Sequence, residues 1–518
     1  METKFLKHFL YIIFIVTLKV QPASGQGFRS RFYLPGSFNN TARAIFETSP
    51  GNYFAAGFVA DTLNGYNTDR LTIMGLNSIG QPLWAKKYGN AKFQYLMNTF
   101  IRRSFYKQGN FIYHACCVRD SNNKQFGVLL KFNQNGDTVW QKIYRDALED
   151  VIPQMVTSSV DGGFLITGFF QNWVNHTQPA LLIKTDANGN ELWRKRLHKM
   201  NPDVSDGKAI LQDSVSKKII IAGYNYQIGA FNYENILILD SLGNSPVITA
   251  FLPNGGTIYD MIQSRTDSSI ILTGIQYETQ TLGGTNLERS YVVKFKLNNP
   301  LLPLWKIEID KPTLNNFAVG LKELLTGEII VLGAIDSLQL LNKPRNVYIR
   351  CVKIDQSGQI VLKRYYDYKI NDSLKDNNLA PCSIEVCKDG GWAAAIETVN
   401  FPNPNFFFFV KYDANGCDTL AAHCATMNVV GLKENMKSKT EVLISPNPFH
   451  TSFKVVMENY LDATEFELTV RDLLGREIKK VTLFNNKDID IHELKAGIYF
   501  LQVLKEGQLF LNQKVIKE

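Results

Sequence analysis

The sequence predicts an all-β protein in which a seven-bladed β-propeller precedes a small C-terminal β-sandwich. Three observations predict this fold class. A short phrase centred on a glycine recurs every 53 to 59 residues, the strands beside it are apolar on both faces, and the repeat stops before a differently patterned segment, residues 441–518. A composition of 45% hydrophobic and 20% charged residues fits a folded, strand-rich chain.

The first 25 residues have the pattern of a secretory signal peptide. Lys4 and Lys7 precede an apolar run over residues 9–18, and the small residues 23–25 follow it. We therefore expect residues 1–25 to be removed on export. No later stretch reaches the roughly 20 apolar residues that a membrane span requires, so we expect no transmembrane segment in the mature protein.

The recurring phrase predicts a hairpin turn. KTDANGNELW begins at Lys184, KFNQNGDTVW at Lys131 and KYDANGCDTL at Lys411. An Asp or Asn starts the turn by bonding its own backbone, and Asn-Gly supplies positive φ angles, so the phrase is a loop between strands and not a catalytic site. The glycine of the phrase occurs at Gly80, Gly136, Gly189, Gly243, Gly358 and Gly416. A degenerate copy of the phrase lies around Asn299.

Each repeat unit predicts four antiparallel strands. Strands such as ALLIKT, residues 180–185, and FFFFVKY, residues 406–412, are apolar on both faces, so each sheet must be covered above and below. Stacked propeller blades provide this cover with few exposed edges. Seven units over residues 26–424 therefore predict seven blades.

The segment RSRFYLPG, residues 29–36, precedes the first complete unit and resembles the fourth-strand pattern WAKKYG at residues 84–89. We expect this segment to join the last blade and close the ring as a strand exchanged between the termini. Tryptophans recur in the fourth strands, and we expect them to pack between blades rather than to form a ligand platform. They are Trp84, Trp140, Trp193 and Trp305.

The seven cysteines do not form a dense disulfide framework. Cys382 and Cys387 lie too far apart along a strand to pair with each other. Cys417 and Cys424 flank a short segment that could turn back, which makes them the candidate disulfide. Adjacent Cys116 and Cys117 are expected to be buried strand residues, because no metal-ligand spacing lies near them.

The composition changes after the repeats. Residues 425–440 are polar and without period, which predicts a linker. Residues 441–518 contain four short strand-like stretches separated by turn residues, enough for a small β-sandwich. These stretches are EVLISPNPF, FELTVRDLLGREIKKV, LKAGIYFLQV and LNQKVIKE.

The order of these blocks resembles the C-terminal sorting domain of the type IX secretion system. The resemblance covers residues 441–518. The departure from the family pattern is small and lies at His450 and Thr451, which follow PNPF. It implies that the secretion machinery is a partner, and that the cargo passes through the periplasm and outer membrane to be released or held at the cell surface. The matching residues are Pro446, Asn447, Pro448, Phe449, Asp472, Gly475, Arg476, Gly497, Ile498, Tyr499 and Lys514 to Lys517.

No familiar catalytic or metal-binding motif occurs in the sequence, so we predict no catalytic, cofactor-binding or metal-binding residue. Asp488, Asp490 and Glu493 could suggest calcium, but the stretch lacks the central glycine of an EF-hand. The phrases SVDGGF at residue 159 and KDGGW at residue 388 are similar to the Asp-box of sialidase propellers, yet a simple Asp-Gly turn explains them. The net charge of +8 is scattered, which argues against nucleic-acid binding.

Two classes of function remain open. The favoured class is a secreted or surface-displayed binding or adhesion propeller that captures a glycan or protein. The alternative is a hydrolase or lyase that acts on a polysaccharide, with its site assembled from several blades on a propeller face.

Asp followed by Ser or Thr and an aliphatic residue occurs seven times before residue 425 and never after it. Turn chemistry explains part of this excess. The triplet also resembles the O-glycosylation signal of bacteria that use this secretion pathway. We predict modification at Thr62, Ser337 and Ser373, which lie in loop-like stretches.

Overall fold

The structure is a computed structural model. It describes residues 27–37, 39–63, 66–90, 92–96, 104–197, 205–225, 233–244, 247–252, 256–282, 285–310, 315–336, 347–368, 378–399, 405–418, 442–445, 447–457, 465–472, 476–484, 488–505 and 508–518.

Within these ranges every regular element is a β-strand, in agreement with the predicted all-β class. The first strands are β1 Phe28–Phe32, β2 Asn39–Ser49, β3 Asn52–Leu63, β4 Tyr66–Leu76, β5 Pro82–Tyr88, β6 Phe93–Tyr95, β7 Phe105–Gln108, β8 Phe111–Asp120, β9 Gln125–Phe132, β10 Thr138–Tyr144, β11 Asp150–Ser158, β12 Phe164–Gln171, β13 Ala180–Thr185 and β14 Glu191–Leu197. The next are β15 Ser205–Gln212, β16 Ile219–Asn225, β17 Tyr233–Leu239, β18 Val247–Leu252, β19 Gly256–Gln263, β20 Ile270–Leu282, β21 Thr285–Phe295, β22 Pro303–Ile309, β23 Asn315–Glu323, β24 Ile329–Asp336, β25 Val347–Ile354, β26 Ile360–Tyr366, β27 Asn378–Val386, β28 Trp392–Val399 and β29 Phe407–Tyr412. The last are β30 Val442–Ser445, β31 Ser452–Met457, β32 Glu465–Arg471, β33 Glu477–Phe484, β34 Asp488–Asp490, β35 Gly497–Lys505 and β36 Gln508–Lys517.

The chain divides into two compact units, residues 1–431 and 432–518. In the described part of the first unit, the strands form seven antiparallel sheets. We number them along the chain: sheet 1 is β2–β5, sheet 2 is β6–β10, sheet 3 is β11–β14, sheet 4 is β15–β18, sheet 5 is β19–β22, sheet 6 is β23–β26, and sheet 7 is β27–β29 with β1.

The sheets contact one another in a closed cycle. The first strand of each sheet packs on the sheet before it, and β2 of sheet 1 packs on β27, β28 and β29 of sheet 7. This arrangement of radially repeated antiparallel sheets is a β-propeller, which confirms the predicted class. The predicted linker and domain boundaries at residues 424 and 441 fall outside the described residues and stay predictions.

Strand β1 completes sheet 7, as the sequence predicts. It pairs antiparallel with β29 over Phe28↔Lys411 to Phe32↔Phe407, so it is the outermost strand of that sheet. Phe28 is buried and meets Tyr53 edge to face at 5.4 Å between ring centroids. The N-terminal segment therefore supplies the fourth strand of sheet 7.

Sheet 2 departs from the predicted four strands. Both β6 and β7 pair with β8, and residues 97–103 between them lie outside the described residues. The backbone hydrogen bonds extend beyond both strands, from Leu96 N to Cys117 O and from Ala115 N to Ser104 O. The two described segments together pair along most of β8.

The recurring phrase forms the turn between the third and fourth strands, which we call the glycine turn. In sheet 3, Asp186 Oδ1 accepts hydrogen bonds from Asn188 N at 2.9 Å and Asn190 N at 2.8 Å. Gly189 has φ of 77°, a left-handed conformation that favours glycine. The expectation that Asn also takes a positive φ was wrong, because the Asp-bonded turn requires it at the glycine alone.

Each glycine turn is held by the fourth strand of the preceding sheet. A Cβ on Gly189 would lie 2.7 Å from Trp140, and Tyr144 donates its hydroxyl hydrogen to Gly189 O at 2.8 Å. The predicted packing of the tryptophans between blades is therefore correct. The glycine and its neighbour on the preceding sheet are Gly80 with Phe28, Gly136 with Trp84, Gly189 with Trp140, Gly243 with Trp193, Gly358 with Trp305, and Gly416 with Arg364.

The turn between the first two strands, which we call the first hairpin, is fixed by a buried lysine. Lys184 of β13 bonds Asp161 Oδ1 at 2.5 Å, and Asp161 also accepts from Gly163 N. Burial alone would raise the pKa of Asp161, but these donors and the Lys184 charge hold it below its ordinary value. Lys411 bonds Asp389 in the same way in sheet 7. The two Asp-box-like phrases are therefore structural turns.

The described part of the second unit is a small β-sandwich. One sheet has the order β30-β31-β34 and the other β33-β32-β35-β36. A separate apolar core joins them, and Phe453, Leu468, Ile491 and Leu501 are fully buried in it. The predicted β-sandwich is confirmed.

None of the described residues lies in a helix that could cross a membrane.

Candidate functional site

A cavity of about 300 Å³ lies where the first strands of all seven sheets meet, and we call it the channel cavity. The strands that line it are β2, β7, β11, β15, β19, β23 and β27. Its volume is at the lower end of the range for small-molecule sites. The cavity lies near the C-terminal ends of these strands, beside the first hairpins.

Six of these first strands carry a register shift at the same position. Among the described residues, the first strand of sheet 2 is the exception. A bulge kinks a strand and redirects its side chains. Here the residues that follow the bulges include Ala44, Met155 and Ser383, which line the channel cavity. The shifts occur at Ala42/Ala44, Pro153/Met155, Gly207/Ala209, Ile258/Asp260, Ala318/Gly320 and Pro381/Ser383.

Beside the cavity, side chains near the ends of four first strands accept hydrogen bonds from backbone N–H groups in the first hairpin of the preceding sheet. We call these side chains the clasps. Gln212 Oε1 accepts from Val160 N at 3.0 Å, and Gln263 Oε1 accepts from Ser214 N at 2.9 Å. In sheets 6 and 1, the side chain that accepts this hydrogen bond is a glutamate carboxylate. The bonds there are Arg265 N to Glu323 Oε2 at 2.7 Å and Lys388 N to Glu47 Oε2 at 2.6 Å.

Seven side chains occupy equivalent register positions and line the channel cavity. Five are apolar or aromatic or carry only a hydroxyl, and two are charged. Lys322 and Glu385 neutralise each other as an ion pair at 2.8 Å. The seven are Phe46, Tyr106, Thr157, Leu211, Ile262, Lys322 and Glu385. Lys107 also lines the cavity, one residue further along, at the register position of Gln212 and Gln263.

Three polar groups of the cavity lining have no hydrogen-bond or ion-pair partner among the residues that the structure describes. They are the Lys107 ammonium, the Thr157 hydroxyl and the Ser383 hydroxyl, and Ser383 Oγ is buried. Gln212 and Gln263 are already bonded to hairpin backbone. The cavity therefore offers one uncompensated positive charge beside the apolar side chains Phe46, Leu211 and Ile262.

A buried ion pair lies close to the cavity wall. Arg43 donates to Glu397 through two nitrogens at 3.0 and 3.1 Å, and one of them lies 3.4 Å from Cys382 Sγ. Arg43 is 3% exposed and joins sheet 1 to sheet 7. Such a two-point pair fixes geometry, so we assign it to ring closure.

Burial suppresses the reactivity of the other titratable core groups. It lowers the pKa of His114 to about 3, so the ring is neutral near pH 7, and its Nδ1 lies 3.2 Å from Ser104 O. Burial also raises the pKa of Cys351 to about 12 and that of Cys116 well above its ordinary value. As the sequence predicts, Cys116 and Cys117 are buried residues of β8, and Cys382 and Cys387 do not form a disulfide with each other.

The opposite end of the sheets carries an exposed tryptophan. Antiparallel pairing places the second-to-third-strand connections and the links between sheets at this end, which we call the connection end. Trp173, in the connection between β12 and β13, is 62% exposed, and its Nε1 donates to Asp150 Oδ2 at 2.8 Å. Val174 and Leu148 are also exposed there, at 93% and 84%.

The sorting-domain residues at the two ends of the second unit come together. Asn447 Oδ1 accepts from Ile516 N at 2.9 Å, and Phe449 exchanges backbone hydrogen bonds with Ile516 and Glu518. Phe449 is fully buried beside Phe453. The opening turn thus holds the terminal strand β36, and Pro448 lies within that turn.

The central pair also forms as the resemblance implies. Arg476 donates to Asp472 from its backbone at 3.0 Å and its Nε at 2.7 Å. Gly497, Ile498 and Tyr499 begin β35, where Tyr499 donates to Lys495 O. Pro446 and Gly475 lie outside the described residues, as does the side chain of Lys514.

The carboxylates that suggested calcium have other roles. Asp490 lies within 4.8 Å of His492 and Glu493, all three exposed. Asp490 accepts from His492, and Glu493 pairs with Lys479. Asp488 pairs with Lys454 at 3.7 Å. The group sits on the sandwich surface, so we assign it no metal.

Of the predicted glycosylation sites, only Thr62 is described. It lies in β3, paired with Asn67, and not in a loop, because the hairpin from β3 to β4 extends to Leu63. Ser337 and Ser373 lie outside the described residues, so they stay predictions. The same holds for the Cys417–Cys424 bridge, since Cys424 is not described.

Sequence reasoning missed the channel cavity, the clasp residues and Trp173. The clasps have a faint signal, because Glu47, Gln212, Gln263 and Glu323 all fall near the end of a first strand. The cavity has none, since its wall combines short segments of seven sheets that are far apart in sequence. Trp173 differs from the fourth-strand tryptophans in its place within the repeat, which is the signal that could have found it.

Comparison with known proteins confirms the sorting domain. The family described as "Secretion system C-terminal sorting domain" matches residues 443–518. No curated sequence matches the chain. Solved structures with a similar fold include Drosophila Semaphorin 2a, with 9% identity, TM-score 0.44, 94% of this chain and 97% of that chain covered. Another is the β-propeller domain of the Trilobed protease from Pyrococcus furiosus, with 12% identity, TM-score 0.38, and 74% and 99% covered.

Proposed function

We propose that this exported β-propeller is a binding or adhesion protein whose ligand, a glycan or a protein, docks at the connection end. The observation that carries the proposal is Trp173, which presents 62% of its surface while Asp150 holds its indole nitrogen. A tryptophan fixed by one polar contact offers a rigid apolar face at little cost in conformational entropy.

The two ends of the sheets also differ in construction, which supports this choice of face. At the end that carries the glycine turns and the first hairpins, which we call the turn end, the clasps and the lysine–aspartate pairs fix the hairpins. At the connection end, the links differ from sheet to sheet, from residues 64–65 in sheet 1 to residues 337–346 in sheet 6. Variable links on a rigid scaffold are the usual place for recognition.

Export is part of the same proposal. The sorting domain implies recognition by the type IX secretion machinery and transfer to the cell surface or the medium. We propose that residues 1–25 direct the chain to the periplasm first, and that Thr62, Ser337 and Ser373 are glycosylated there.

A glycan and protein array probed with the secreted protein tests the binding proposal. We expect Trp173→Ala to lose the captured ligand and Trp173→Phe to retain part of the signal. Leu325→Ala, at a residue 76% exposed in a first hairpin, is the matched control and should bind normally. The alternative, a hydrolase or lyase, would release shorter oligosaccharides from a polysaccharide substrate.

A further inference from the structure

We propose that the channel cavity is a separate binding site for a small organic carboxylate with an apolar body. The cavity lies at the turn end, whereas Trp173 lies at the connection end. Strand β11 shows the separation, because Asp150 opens it and Ser158, which lines the cavity, closes it. The inference therefore goes beyond the proposed function and does not depend on it.

The charge of the lining selects an anion. Lys322 and Glu385 form a neutral pair at 2.8 Å, whereas Lys107 has no counterion among the described residues. Lys107 is half-buried, so a carboxylate that replaces water at its ammonium gains a charge-assisted hydrogen bond. A cationic ligand would meet Lys107 uncompensated and would compete with Lys322 for Glu385.

The uncharged part of the wall selects the body of the ligand. Phe46, Met155, Leu211 and Ile262 line the cavity with carbon and sulfur atoms. Apolar surface of this kind favours an alkyl or aryl group over a polyhydroxylated one. A sugar hydroxyl placed against these side chains would have no hydrogen-bond partner among them, which is costly.

The unused hydroxyls complete the site. Ser383 Oγ is buried without a partner among the residues that the structure describes, and the Thr157 hydroxyl is also unpaired. Buried polar groups are nearly always hydrogen-bonded, so an unpaired one marks a place where a ligand or water binds. Each hydroxyl can donate to a carboxylate oxygen or to a water that bridges to it.

The construction of the site indicates rigidity. Bulges set the direction of six of the strands that line it, and the clasps tie four of the first hairpins to the next sheet. Such a site does not need to reorganise when a ligand enters, which favours affinity for a small molecule.

Isothermal titration of the secreted full-length protein with sodium octanoate tests the proposal. We expect octanoate to bind at one site and octanamide, its uncharged analogue, to bind at least tenfold more weakly, since a charge-assisted bond is lost. Lys107→Met should weaken octanoate binding by at least tenfold. Lys92→Met, at an exposed lysine outside the cavity, is the matched control.

Other variants keep the test decisive if Lys107→Met unfolds. Lys107→Gln removes the charge and keeps the stem, and it should show the same loss. Lys322→Met should not abolish binding. Equal affinity for octanoate and octanamide, unchanged affinity in both Lys107 variants, or no binding of any straight-chain carboxylate from four to twelve carbons would overturn the proposal.

A crossed design separates this site from the connection end. Trp173→Ala should leave octanoate binding unchanged, and Lys107→Gln should leave array binding unchanged. A wild-type protein that binds octanoate but captures no ligand from the array would count against the proposed function alone. The reverse result would count against the channel site alone.

Discussion

Arg29 and Asp418 form a two-point ion pair across 389 positions of sequence, with Nε to Oδ2 at 2.7 Å and a second nitrogen to Oδ1 at 3.0 Å. Asp418 is 4% exposed and also accepts from the Tyr368 hydroxyl at 2.6 Å. The pair fastens β1 beside the end of β29. It is the polar counterpart of the apolar contact between Phe28 and Tyr53.

Asp418→Ala should therefore destabilise the closed ring. The change leaves the Tyr368 hydroxyl and part of Arg29 without their acceptor, and we expect a loss of about 2–4 kcal/mol in the free energy of unfolding. Urea unfolding followed by fluorescence measures it. Asp472→Ala in the sandwich is the control, and an unchanged midpoint for Asp418→Ala would show that the pair does not support closure.

Gly189→Ala should destabilise the first unit more than Gly162→Ala. Both glycines have positive φ, 77° and 89°, so both substitutions incur a similar backbone strain. A Cβ on Gly189 would also meet Trp140 at 2.7 Å, whereas nothing lies within 4 Å of one on Gly162. We expect an excess of about 1–3 kcal/mol for Gly189→Ala, measured by thermal unfolding. Equal losses would mean that the indole moves aside freely.

Asp310 should make stability depend on pH. Burial alone would raise its pKa, but the charges of Arg350 and Lys363 and the Tyr365 hydroxyl hold the pKa below its ordinary value. A lowered pKa adds stability above about pH 4, and this contribution is lost as the pH falls through the folded-state pKa.

Asp310→Asn keeps the shape and tolerates the φ of 72°. We expect it to cost about 2–4 kcal/mol at pH 7, because Arg350 is fully buried, and progressively less below about pH 4. Urea unfolding from pH 2.5 to 7 gives the difference between variant and wild type. A difference that does not change with pH would rule out the ionised Asp310.

Deletion of residues 443–518 should retain the propeller inside the cell envelope, since the sorting domain is lost while the N-terminal signal remains. Immunoblots of the periplasm, cell surface and medium measure the distribution. Asn447→Ala removes one bond between the opening turn and β36, and should reduce export less than the deletion does. Normal export of the truncated chain would refute the sorting assignment.

Glycosylation should add mass to the natively secreted protein. Intact-mass spectrometry should show a mass above that of the polypeptide, reduced by Ser337→Ala or Ser373→Ala. Thr62 lies in a paired strand, so Thr62→Ala is expected to remove less. A mass equal to that of the bare chain would exclude modification at all three residues.

The sequence predicts the features that repeat or lie close together. The glycine of the glycine turn and the tryptophan of the fourth strand, such as Gly189 and Trp140, recur from unit to unit, so the order of the blades could be predicted. RSRFYLPG resembles a fourth strand, so the exchange of β1 could be predicted as well. The sorting domain could be recognised because its blocks keep their order from Asn447 to Ile516. Each of these depends on local pattern.

The channel cavity could not be predicted because its wall depends on strands that are far apart in sequence. Lys107 and Ser383 have unremarkable neighbours, and only the closed ring places both at one cavity. The bulges that direct these strands lack a shared residue type. Arg350 and Asp310 likewise pair between sheets, where no spacing rule applies.

The exchange of β1 has a kinetic consequence. Each of the other described sheets can form from one continuous stretch of chain, but sheet 7 requires two stretches that flank six sheets. Closing so long a loop is entropically costly and slow. The molecule should therefore pass through an open horseshoe, in which β29 has an unpaired edge and sheets 1 and 7 expose apolar faces. A newly made chain is most vulnerable to aggregation and proteolysis during that interval.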